Sequence, residues 1–148
     1  MRHLGLLLSF CCVLANTETF LMAQERTPLT VTRLYTGTDG LSHFERIRVR
    51  FVSVPGEPTT VAESEPAITS KSYFVRCAPG FFSDWHNADA RRYVITISGR
   101  AEVEVAGAEK FMAQPGEIVL AEDLTGKGHT FRVLGDNEWV ALFVDLGK

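Results

Sequence analysis

The sequence predicts an all-β fold, many short strands making a sandwich or closed barrel, and three observations carry that prediction. Turn-forming groups recur at close, even spacing through the C-terminal two-thirds: Pro79-Gly80, Ser98-Gly99, Gly107, Pro115-Gly116, Gly126 to Gly128, and Gly135-Asp136-Asn137. The segments between them are short and rich in β-branched and aromatic residues. None of those segments repeats its apolar residues with the period of an amphipathic helix.

Taken in order, Leu29 to Tyr35 (LTVTRLY) is a β-rich run that stops at the turn cluster Thr36 to Gly40. From Phe44 the stretch FERIRVRFV alternates, with Phe44, Ile47, Val49 and Phe51 set against Arg46, Arg48 and Arg50. A period of two predicts a half-buried antiparallel strand whose arginines form its wet face. Pro55 to Pro66 (PGEPTTVAESEP) has no period and predicts a long connection, either a lid or merely a link. Further strands are expected over Ser72 to Cys77, Arg92 to Ser98, Ala101 to Ala106, Lys110 to Met112, Glu117 to Ala121, His129 to Val133 and Trp139 to Leu146. Trp139, Phe143 and Leu146 read as packing residues.

The chain of 148 residues is enough for one domain with one core. It is 45% hydrophobic and 22% charged, with net charge −3, so no basic face argues for a nucleic-acid partner. No apolar run reaches the roughly 20 residues of a membrane span. Residues 1–23 differ from the rest. Arg2 and His3 precede the apolar block Leu4 to Leu14, which ends near small residues. That pattern reads either as a secretory signal or as an over-called start with the natural N-terminus at Met22. The first reading predicts a secreted or periplasmic protein, the second a cytoplasmic one. The organisation expected is therefore a leader (1–23), N-terminal strands and loop (24–70), and a barrel core (71–148). Outside the leader Cys77 stands alone, and a lone strand cysteine reads as a small buried hydrophobe.

Two motifs then resemble the cupin superfamily, in particular its small single-domain, RmlC-like members. The first family motif is glycine, five residues, His-x-His, three or four residues, glutamate, six residues, glycine. Gly80-FFSDW-His86-Asn87-Ala88-DAR-Arg92-YVITIS-Gly99 fits that spacing throughout, with Ala88 at the second histidine and Arg92 at the glutamate. The second motif opens on a proline-glycine turn and closes on histidine. Pro115-Gly116-Glu117-IVLA-Glu122-Asp123-LTGKG-His129 matches both ends, with a longer turn and Glu122 where proline is usual. The resemblance implies a single cupin-type double-stranded β-helix, or jelly-roll barrel, with the site inside it. Fold analogy and the need to cover sheet edges imply a homodimer.

Alternate strand residues face inward, so His86 and His129 are expected to meet at the barrel mouth. A divalent iron, zinc, manganese or nickel would have these two imidazoles as ligands, but Ala88 offers no donor and Arg92 repels a cation. Asp84, Asp89 or Glu122 would have to complete such a site. The metal-free reading is favoured. In it His86 moves a proton, His129 assists, Arg92 binds an anion, and Tyr93 and Glu122 are candidate partners. Alternatively Arg92 points out of the barrel mouth or pairs with Asp84 or Asp89. Trp85, His43 and Lys127 read as mouth, turn and loop residues. The function expected is a small-molecule enzyme, an isomerase, lyase or oxygenase acting on a polar, anionic metabolite. The alternative is a non-catalytic ligand-binding or sensing protein.

Overall fold

The structure is a computed structural model that describes residues 27–58 and 61–147; the leader expected over 1–23 lies outside the described residues. The fold is all-β. Among the described residues twelve strands run in chain order: β1 (Thr30–Thr36), β2 (Ser42–Arg48), β3 (Phe51–Ser53), β4 (Ala62–Ser64), β5 (Thr69–Cys77), β6 (Phe82–His86), β7 (Arg92–Ser98), β8 (Arg100–Glu104), β9 (Lys110–Ala113), β10 (Ile118–Glu122), β11 (His129–Leu134) and β12 (Trp139–Leu146). Among the described residues no helix is long and apolar enough to cross a membrane.

Six strands form one sheet in the order β2-β1-β10-β7-β12-β5, and four form a second in the order β6-β11-β8-β9. Pairing is antiparallel except between β1 and β10. The core is drawn from both sheets, with Leu34, Val119, Trp139 and Ala141 from the larger meeting Val103, Phe111, Ala113 and Val133 from the smaller. Strand pairing does not join the two sheets edge to edge, so the architecture is two facing sheets and not a closed ring of strands. The central strand β10 explains its own composition. It lies between β1 and β7, and Val119, Leu120 and Ala121 are all buried. A strand covered on both faces needs a continuous apolar run and not an alternating one.

The alternating stretch after Phe44 departs from expectation. Strand β2 pairs residue by residue with β1 until Thr30 meets Arg48, where β1 begins and the partner runs out. Beyond that point Phe51 and Val52 pass into a separate hairpin with β4, and Phe51 is 50% exposed. The wet face is as expected for Arg46, which reaches across to Glu117. The connection Pro55 to Pro66 contains β4, so it is not wholly irregular.

Candidate functional site

Between the sheets lies a cavity of about 300 Å³. Its inner wall is apolar, with the aromatic residues Phe81, Phe111, Phe131, Trp139 and Phe143 set among aliphatic ones such as Leu34, Val94 and Val119. Polar side chains that line it include His86, Asn87, Asp89, Arg92 and His129. That is the usual composition of a small-molecule site, an apolar body with a few convergent polar groups.

The two histidines are brought together by strand register. His86 is the last residue of β6 and His129 the first of β11, and the two are direct cross-strand partners. Their ring centroids are 4.4 Å apart. The turn before His129 permits this. Gly128 has φ +77°, and a Cβ there would lie within contact distance of the His86 carbonyl oxygen and the Asn87 nitrogen. Only glycine accepts that backbone and that approach together.

Hydrogen bonding orients both rings alike. His86 Nδ1 is 2.7 Å from the Asp84 main-chain oxygen, an acceptor only, so Nδ1 carries the proton and donates. Ser83 Oγ lies beside the same nitrogen at 3.2 Å. His129 Nδ1 is 2.7 Å from Asp123 Oδ2, and a carboxylate likewise only accepts. In the neutral rings both Nε2 atoms therefore carry lone pairs, and neither has a hydrogen-bond partner among the described residues. Asp123 is completely buried, and its Oδ2 also accepts from Ser42 Oγ at 3.0 Å. Its second oxygen has no partner among the described residues, an arrangement that costs stability.

Asp123 and Ser42 were not legible as site residues. Asp123 sits inside the second motif six residues before His129, on the far side of a glycine-rich turn, and Ser42 belongs to a different part of the chain. The one signal was an aspartate just past the end of an expected strand and ahead of a motif histidine.

Arg92 is inside, as expected for residue one of β7, but its charge is already met. Nε lies 2.8 Å from Asp145 Oδ1, and Nη2 contacts Asp89. Lys71 approaches the other oxygen of Asp145 at 3.3 Å. The Arg92 contacts are ionic and not aligned as hydrogen bonds, since Nε, Nη2 and Asp145 Oδ1 all lack a linear partner. The expectation of an anion site at Arg92 therefore loses its physical basis, because two carboxylates stand where the anion would bind. Pairing with Asp89 is as the alternative reading had it; Asp145 was not foreseen.

Tyr93 and Glu122 are not brought into the cavity. Each follows a cavity-lining residue, Arg92 and Ala121, and successive strand residues face opposite ways. Glu122 lies on the outer face between Arg33, whose Nε is 2.6 Å away, and Arg91. Burial pushes the Glu122 carboxyl up, but the hydrogen bonds from both arginines outweigh it and hold the group below its ordinary value of 4.5. A carboxylate depressed on folding contributes stability above its unfolded value and loses it as pH falls through the folded one. The stability difference between the wild type and Glu122→Gln should therefore be constant near neutrality and shrink as pH falls below about 4.5. Chemical denaturation of both proteins at several pH values checks this, and a gap that widens in acid would refute it.

Trp85 points out to solvent with Lys127 Nζ 4.1 Å from its ring centre, and His43 binds Asp39 at an exposed turn. Cys77 lines the cavity, and burial pushes its thiol up. The donor set does not suit a resident metal. His86 and His129 offer two imidazoles, Ala88 offers nothing, Asp89 is held by Arg92 and Glu122 by two arginines. Among the described residues no three histidine, cysteine or carboxylate side chains are grouped to hold one.

No family model matches the chain, and no curated protein matches it. Among solved structures, the crystal structure of protein NMB1881 from Neisseria meningitidis aligns with 59% of this chain and 88% of its own length, at 13% identity and a TM-score of 0.39.

Proposed function

We propose that this chain is a small cupin-like protein, its two facing sheets the halves of a jelly roll, and that it is a proton-transferring enzyme of isomerase or lyase type acting on a small molecule in the cavity. The observation that supports this best is the pair of imidazoles whose Nε2 lone pairs have no partner among the described residues. Each ring is turned that way by a fixed acceptor on Nδ1, Asp84 oxygen for His86 and Asp123 for His129. A base held in one tautomer beside an apolar pocket, with a second imidazole against it, can take a proton from one atom of a bound molecule and return one to another. Asp123 is placed to balance the charge when His129 takes up a proton, the role an aspartate plays behind a histidine base.

A second reading, ligand capture without turnover, is favoured by one observation. Tyr93 and Glu122, the other candidate proton carriers, face away from the cavity. The two readings separate on a single comparison once a screen of small metabolites has given a turned-over compound. His86→Ala should lower turnover by about 10²-fold or more, the usual worth of a positioned general base, with an unchanged unfolding midpoint. A folded His86→Ala protein that turns over at the wild-type rate sinks the mechanism. Binding without turnover of every ligand found leaves capture in its place.

A further inference from the structure

Resting on the reading that the cavity takes a small molecule, we infer that its ligand is an apolar ring or branched chain headed by a hydroxyl, a hydrogen-bond donor, and not a carboxylate or phosphate. Three features of the wall lead there. Its body is apolar, with Phe81, Phe131, Phe143 and Trp139 set among aliphatic side chains around about 300 Å³, at the small end of ligand pockets and suited to one substituted ring. Arg92, the one lining cation among the described residues, is already matched by the lining carboxylate Asp89 and by buried Asp145, which also takes Lys71, so an anion would meet a cluster with no positive charge to spare. The free ring valences of its paired histidines are acceptors. Both Nδ1 protons are spent on Asp84 oxygen and Asp123, one N–H of the Asn87 amide donates to the Thr125 carbonyl at 2.7 Å, and the Ser83 hydroxyl lies 3.2 Å from His86 Nδ1. What the two imidazoles leave for a ligand is their Nε2 lone pairs, on rings whose centres are 4.4 Å apart. Two adjacent acceptors select a molecule that brings a proton, and leave a second acceptor such as an ether or a carboxylate repelled and unpaired.

The test uses the full chain carrying Trp85→Phe, which removes the exposed indole and leaves Trp139, in contact with Phe131 at the cavity wall, as the fluorescent reporter. Three probes of one shape are titrated at about pH 8, where imidazoles are ordinarily neutral and a phenol still holds its proton. They are 4-isopropylphenol, 4-isopropyltoluene and 4-isopropylbenzoate. The phenol should bind, the benzoate should bind more weakly than the phenol, and the absorption band of the bound phenol should move to the red as its O–H meets an imidazole nitrogen. Adding His86→Ala should lower the ratio of phenol to hydrocarbon affinity about tenfold and leave the hydrocarbon's own affinity within about twofold. The band shift needs no folded variant, so the inference stays testable if His86→Ala does not fold. A benzoate that binds tightest overturns it in favour of an anion site. Phenol binding with no band shift, or with a ratio unmoved by His86→Ala, overturns it while leaving a small-molecule cavity. Binding of none of the three overturns it too, and the proton-transfer reading is then judged separately by the turnover of His86→Ala.

Discussion

Gly128→Ala should destabilise the protein by about 3 kcal/mol and lower its melting temperature by roughly 10 °C. Two costs combine at this position. An alanine at φ +77° occupies the left-handed region, which disfavours any side chain by about 1 kcal/mol. The larger cost is contact. The added methyl meets the main chain of His86 and Asn87, and backbone atoms in a strand end cannot swing aside as a flexible side chain can. Gly135→Ala separates the two. Gly135 has nearly the same φ, +78°, and open space around the new Cβ, so it should show only the conformational cost, about 1 kcal/mol and a few degrees. Thermal melts of the two variants side by side are the measurement. If they agree within a degree or two, the close approach of the β11 turn to the end of β6 is wrong, and so is the pairing of the two histidines. A clash that pushes the strands apart also acts on the site. Gly128→Ala should weaken any ligand of the cavity even below its melting point, whereas Gly135→Ala should not.

That glycine also shows what was legible in the sequence. The histidines, the glycine-rich turn ahead of His129 and the spacing between the motifs were all visible, and the strand register joins His86 to His129 as inward-facing positions predict. The limits came from three physical sources. Strand β6, Phe82 to His86, has aromatic, hydroxyl and acidic residues in succession with no clean period, because it is an edge strand in which Phe82, Asp84 and Trp85 are all exposed. Strands β3 and β4 could not be separated from their surroundings, because what ends β2 is the exhaustion of its partner β1, a tertiary fact absent from local pattern. The partners of the site residues, Asp123, Ser42 and Asp145, come from distant parts of the chain and announce nothing by themselves. Tyr93 is a different case. The alternation that turns Arg92 inward turns its neighbour outward, so the two could never have shared the cavity, and the same parity separates Glu122 from Ala121. An arginine at the inward motif position pointed to an anion because a buried guanidinium needs a counter-charge. The structure supplies that counter-charge from β12 and the loop before β7, and the ligand is no longer required to.

Arg92→Met, the second large effect, should cost about 3–5 kcal/mol, most of it through the residue left behind. Arg92 is 7% exposed and Asp145 2%, and the pair meets where β7 and β12 are cross-strand partners. Taking away the guanidinium leaves the Asp145 carboxylate buried with Lys71 at 3.3 Å as its remaining cation, while Asp89, already exposed, is simply freed to water. The stack of the guanidinium over Phe143, 5.1 Å from the ring centre, is lost as well. The intact pair is not an efficient one. Its contacts lack hydrogen-bond alignment, and a buried ion pair offsets its own desolvation only with good geometry. The double variant Arg92→Met, Asp145→Leu, which removes both charges and keeps apolar volume, should therefore recover most of the loss and come within about 1 kcal/mol of the wild type or above it. Denaturant unfolding of the wild type, both single variants and the double variant gives the coupling directly. A single Arg92→Met variant as stable as the wild type would show that Arg92 is held for a ligand and not by Asp145, which would return the anion to the cavity. A large single loss regained in the double variant assigns Arg92 to the wall of the cavity, held there by Asp145 and not by a ligand.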